Sequence, residues 1–84
     1  MKNPHWLSEL AEAFLNIKSK EAMKDFLYGI LTPKELDQLS TRLQIVKMLK
    51  KGIPQHKISE YLKVGVATVT RGSRELQNQR FQNI

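Results

Sequence analysis

Eighty-four residues with a formal net charge of +6, no cysteine and two histidines set narrow limits on what this chain does. One small domain fits that length, disulfide staples and cysteine-ligated zinc are excluded, and His5 and His56 lack acidic neighbours at ligand spacing, which argues against a metal site. No apolar run approaches membrane-spanning length and no signal peptide is visible, so the expected location is the cytoplasm and no membrane partner is expected.

The first helix is predicted from Pro4 to Ile17, where Leu7, Leu10, Ala11, Phe14 and Leu15 recur at helical spacing. Trp6 sits beside Leu7 and Leu10 and reads as a packing residue, with His5 solvated or capping. Ser19 is a suitable N-cap for a second helix reaching about Leu31, with Glu21 in its first turn. The apolar residues Ala22, Met23, Phe26, Leu27, Ile30 and Leu31 cover more than one face of that helix. Such a helix needs cover from its own chain and from a partner, and a chain this short gains stability by dimerising.

Thr32-Pro33-Lys34-Glu35 is the clearest punctuation: Thr32 caps, Pro33 takes the first helical position and Glu35 completes a capping box. The third helix then runs to about Lys51, with Leu36, Leu39, Leu43, Val46 and Leu49 inward. Lys47, Lys50 and Lys51 meet its carbonyl end, and Gly52 stops it. Pro54 is expected to be the first helical residue of the fourth helix.

From Gln55 to Arg71 the pattern is that of a helix-turn-helix. Ile58, Leu62, Val64 and Val69 fall where two steeply crossing helices bury contacts, and Ala67 is small enough for close approach. Lys63-Val64-Gly65 makes the turn, with Gly65 taking unusual backbone angles or serving as an N-cap. The last helix extends from Val66 to about Leu76, and Gln77 to Ile84 is expected to fray.

Charge follows this division. Residues 1–31 carry four lysines and four acids, whereas residues 32–84 carry ten basic groups against four acids. The whole excess therefore lies in the half holding the helix-turn-helix; phosphate attraction explains this asymmetry well, and a generic basic surface is the plain alternative. Val66, Ala67, Thr68 and Thr70 suit the floor of a major groove. Gln55, His56, Lys57 and Lys63, with Arg74, are placed for the backbone or base edges. An ordinary helical hairpin in a small bundle is the plain structural alternative. A helical interaction module that binds an acidic protein through its basic half is the functional one. Exposed aromatic anchors would favour a protein interface; small and hydroxyl residues at Val66 to Thr70 favour a groove. Tyr61 is expected to pack with its hydroxyl reaching water. No Ser/His/Asp set or glycine-rich loop after a strand supports catalysis.

Leu31-Thr32-Pro33, Leu39 to Val46 and the block Gly65 to Ser73 followed by Leu76 closely resemble the tryptophan repressor family, most specifically at Thr41-Arg42 and Ala67-Thr68-Val69-Thr70-Arg71-Gly72-Ser73. The resemblance implies an all-α fold of about five short helices with a helix-turn-helix, arranged as an intertwined homodimer. Residues 1–84 would form a single domain, with dimerisation helices in 1–51 and the helix-turn-helix in 54–76. It further implies a sequence-specific regulator, a repressor, that binds a palindromic operator in double-stranded DNA. Tryptophan or another small ligand would act as corepressor, held between Arg42 and Arg71, with Gly72 leaving room for the ring and the backbone near Leu31 and Thr32 coming from the other chain. Read without the family, both arginines serve equally as phosphate contacts or surface ion pairs. The chain departs from the family in carrying Glu75 where a small hydroxyl residue is expected. A carboxylate there either binds a ligand ammonium more strongly or pairs with Arg71 one turn away, filling or closing the pocket; the pairing is expected, and with it tryptophan binds weakly or not at all. The turn before Gln55 also reads one residue short, and the stretch after Leu76 is too brief for a full further helix.

Overall fold

A computed structural model describes residues 2–84, and among these the regular structure is entirely helical. Five helices follow in order: α1 Pro4–Asn16, α2 Lys20–Ile30, α3 Pro33–Lys50, α4 Gln55–Leu62 and α5 Val66–Gln77. The chain separates into two compact units with the boundary after Leu36, inside α3.

The first unit is built from well-capped helices. Asn3 caps α1, its Oδ1 accepting the His5 N–H at 2.9 Å, so the cap is Asn3 and not His5. Ser19 Oγ accepts the Ala22 N–H at 3.1 Å, the expected start of α2. The predicted capping box is formed in full. The Thr32 N–H donates to Glu35 Oε1 at 2.9 Å, and the Glu35 N–H donates to Thr32 Oγ1 at 3.1 Å. Two donors that a helix start leaves orphaned are thereby satisfied. Phe14 and Phe26 pack edge to face, with ring centroids 5.5 Å apart. Nevertheless no side chain of α1 or α2 is fully buried, and Trp6, Leu7, Leu15, Tyr28 and Ile30 stand open to solvent.

The second unit holds the core. Ile45, Val46, Ile58 and Val69 are buried, and Met48, Leu49, Ile53, Leu62 and Val64 pack around Ile45, Ile58 and Val69. The helix pair thus buries Ile58 and Val69 as expected, with Leu62 and Val64 partly buried against them. The inner stripe of α3 differs from the expected one: Leu39 and Leu43 remain exposed, and Ile45 takes the centre. Apolar residues surround α3 on several sides, so periodicity alone does not choose the face that buries.

The connections also correct the sequence reading. Gly52, at φ +82°, ends α3 as expected. Pro54, however, is the N-cap of α4 and not its first helical residue. Its ψ of 145° is extended, and its carbonyl receives the Lys57 and Ile58 N–H groups. In the second turn the left-handed residue is Lys63, at φ 57° and ψ 47°, whereas Gly65 is an extended N-cap with φ −65°.

Candidate nucleic-acid interface and its adjoining cleft

Ser59 closes the α4–α5 turn from both sides. Its carbonyl accepts the N–H groups of Lys63 and Val64, and its hydroxyl donates to the Val64 carbonyl at 2.6 Å. A serine late in a short helix is the only sequence signal for this role, and it is a weak one. The turn delivers α5 with Val69 inward and with Val66, Ala67 and Thr68 exposed in the first turn. Gly65 contributes no side-chain cap, and the N–H groups of Val66 and Ala67 have no partner among the described residues. An uncapped first turn of this kind leaves donors and the positive end of the helix dipole available to an anion.

Of the residues expected to face a groove, His56, Lys57, Lys63, Val66, Ala67 and Thr68 are exposed. Gln55 and Thr70 are not free to the same degree. Both are half-buried, and Thr70 Oγ1 donates to Gln55 Oε1 at 2.9 Å, with the Val66 carbonyl at 3.0 Å as its alternative acceptor. They join the start of α4 to α5. Ala67 is exposed and lies on the wall of a cleft toward α3. A close approach of α5 to α3 falls at Gly72, where an added Cβ would stand 3.1 Å from Ile45 Cγ2 and 3.6 Å from Leu49 Cδ1. Gly72 is therefore a packing requirement of α5 on α3, beyond any space it leaves beside a ring.

The cleft has a volume of about 610 Å³, within the range of small-molecule sites. Its α3 wall includes Arg42, Leu39 and Leu43, and its α5 wall includes Ala67, Thr68, Arg71, Gly72 and Glu75. Arg42, Arg71, Gly72 and Glu75 are thus brought to one place. Leu31 and Thr32 belong to the first unit, where Leu31 ends α2 and Thr32 opens α3.

Glu75 does not pair with Arg71. Its Oε2 lies 3.3 Å from Arg80 Nε, and among the described residues no carboxylate lies within ion-pair distance of Arg42 or Arg71. The residues after α5 are also not frayed. Phe81 and Ile84 complete the lining of the cleft, and Lys50 Nζ donates to the Phe81 carbonyl at 2.5 Å and to the Ile84 carbonyl at 2.7 Å. Sequence reasoning missed Phe81, Arg80 and Lys50 as neighbours of the cleft. An aromatic residue within a polar stretch was the one available signal.

These features define an all-α protein with a short helix pair, joined by a three-residue turn, lying beside an arginine-bearing cleft. Residues 5–83 match the family model for the Trp repressor protein, and the chain belongs to that family, whose members are transcription regulators and not enzymes. It is similar to a Trp operon repressor homolog of Actinobacillus succinogenes, 42% identical over 77 residues that cover 87% of this chain and 72% of the relative. Homologs of the same description from Mannheimia succiniciproducens and Photobacterium profundum are 47% and 53% identical, over 64% and 60% of this chain. The chain spans about half the length of these two relatives, 54% and 50%. No solved structure matches the chain significantly.

Proposed function

We propose that the chain is a DNA-binding transcriptional repressor that occupies a palindromic operator as a dimer. The observation that carries this reading is the first turn of α5. Val66, Ala67 and Thr68 are small, exposed and uncapped, while the next residue, Val69, is wholly buried. A helix so presented fits a major groove, with base edges met by short side chains and phosphates by free amides. His56, Lys57 and Lys63 lie exposed on α4 and the turn, where they serve the backbone. The Trp repressor is itself among the proteins from which this docking geometry is known, with half-sites about 34 Å apart.

Dimerisation supplies the missing cover for Trp6, Leu7, Leu15 and Ile30, which a single chain leaves open. The cleft beside α5 is the place where a small ligand such as tryptophan acts. Arg42 and Arg71 offer guanidinium planes and carboxylate partners next to the helix that reads DNA. Leu31 and Thr32 of a second copy are assigned to that site by family resemblance.

Selection of bound DNA from a random pool, at two salt concentrations and with and without tryptophan, tests the reading. A two-fold symmetric consensus is expected. Lys57→Ala should weaken all sequences alike and lower the salt slope by about one unit. Ala67→Glu should erase the consensus. Recovery of no consensus by the natural protein, or the same consensus by Ala67→Glu, counts against it.

A further inference from the structure

We propose that residues 78–84 act as a brace, tying the end of α5 to the end of α3 and so setting the posture from which the first turn of α5 reads DNA; Lys50, Glu75, Arg80 and Phe81 are its positioning residues. The functional consequence rests on the DNA-binding reading above. The brace itself does not.

Two attachments define it. Beyond α5 the chain reverses at Gln79, a left-handed residue at φ 62°. This reversal brings the Arg80 N–H to the Glu75 carbonyl at 3.2 Å and the Arg80 guanidinium to the Glu75 carboxylate at 3.3 Å. The segment is then received by α3, whose Lys50 donates to the carbonyls of Phe81 and Ile84. Lys50 stands in the last turn of α3, where a cation is also favoured by the helix dipole. Between these attachments Phe81 is half-buried and faces the cleft.

Leverage makes the brace matter. Val69 is the buried pivot of α5, and Gly72 touches α3 one turn later. With Val69 as pivot, the arm of α5 toward Gln77 is about 12 Å and the arm toward Val66 about 4.5 Å, so a shift of about 3 Å at the Gln77 end, a tilt of roughly 13°, moves the first turn by about 1 Å. Loss of about 1 Å in positioning is enough to spoil short side-chain contacts to base edges. An isolated helix of this length is marginal in water, so its posture depends on packing and end restraints. The brace supplies the restraint at the C-terminal end, from within the chain.

The test uses the full chain with Phe81→Ala and Lys50→Met, each beside a conservative partner, Phe81→Leu and Lys50→Arg. Native-state hydrogen exchange of the Arg71–Gln77 amides is read first, together with the urea midpoint. Affinity for DNA selected by the natural protein is then measured by fluorescence anisotropy. The disrupting variants should exchange those amides about fivefold faster and bind DNA about fivefold more weakly, at the lower end of measured site-to-site couplings. Phe81→Leu and Lys50→Arg should restore both. Unchanged exchange in Phe81→Ala, or an equal loss in Phe81→Leu, overturns the brace even where DNA binding by the natural protein is intact. Faster exchange in a protein that selects no DNA supports the brace and removes the DNA reading instead.

Discussion

Gly72→Ala is the sharpest probe of how α5 is seated. In a helix interior alanine is favoured over glycine by about 0.5–1 kcal/mol, so propensity alone predicts a gain. The added methyl, however, would lie 3.1 Å from Ile45 Cγ2 and 3.6 Å from Leu49 Cδ1. Apolar carbons prefer separations of about 3.5–4.0 Å. Ile45 is only 1% exposed, and a side chain packed on all sides resists displacement. Overfilling a packed site costs about 1–3 kcal/mol, so the net expectation is a loss of roughly 1 kcal/mol. Gly29→Ala supplies the opposite control. Gly29 lies within α2 with nothing within 4 Å of its added Cβ, and it should gain the full propensity term of about 0.5–1 kcal/mol. Gly52→Ala isolates a third cause. Its surroundings are equally open, but its φ of +82° makes any Cβ unfavourable, at a cost of about 1 kcal/mol. Urea unfolding of all three at one protomer concentration gives the comparison, because a dimer's midpoint moves with concentration. Gly72→Ala as stable as Gly29→Ala would refute the close seating of α5 on α3.

Thr70→Val should cost about 1 kcal/mol by stranding the half-buried Gln55 amide. It should leave the selected DNA consensus unchanged, and an altered consensus would return Thr70 to the groove. Glu35 has its pKa lowered from the ordinary 4.5, first by the Thr32 backbone N–H and then by the Thr32 side chain. A depressed carboxylate contributes stability above its unfolded pKa and loses it as pH falls through the folded value. The urea midpoint of Glu35→Gln should therefore lie below that of the natural protein near neutrality and converge with it in acid, whereas a constant gap across pH contradicts the assignment. Sedimentation equilibrium at micromolar concentration should find a dimer, and a folded monomer alone would show that α1 and α2 need no partner.

Local chemistry was legible in the sequence wherever one residue type has one use. Thr32, Pro33 and Glu35 encode a helix start by their spacing, and Gly52 a stop, and the structure contains both. Ile58 and Val69 were legible as core because a short helix pair leaves few positions inward. Other features depend on contacts between segments distant in sequence. Spacing offered Glu75 the partner Arg71 four residues back, but the turn at Gln79 presents Arg80 instead, five residues ahead and outside helical periodicity. The left-handed Lys63 was hidden because glycine, two residues later, is the usual occupant of such a conformation. Leu39 and Leu43 were read as core because apolar spacing does not distinguish a core from the wall of a cleft.

The re-pairing of Glu75 changes what the cleft should prefer. With Glu75 engaged by Arg80, Arg42 and Arg71 keep their guanidinium groups for a ligand carboxylate. The ligand's ammonium group fares differently, because it must compete with Arg80 for Glu75, the one acidic side chain in the cleft lining among the described residues. That competitor is weak: Arg80 is 71% exposed in its side chain, and exposed ion pairs are worth about 0.2–1 kcal/mol. Arg80→Ala should accordingly tighten tryptophan binding by no more than about fivefold, the equivalent of 1 kcal/mol. Arg71→Ala should abolish binding, since it removes a carboxylate partner from the α5 wall. Calorimetry on the natural protein and both variants measures these effects directly. If Arg80→Ala bound tryptophan more weakly than the natural protein, Arg80 would be holding the cleft in shape for the ligand, and its competition for Glu75 would be the lesser effect.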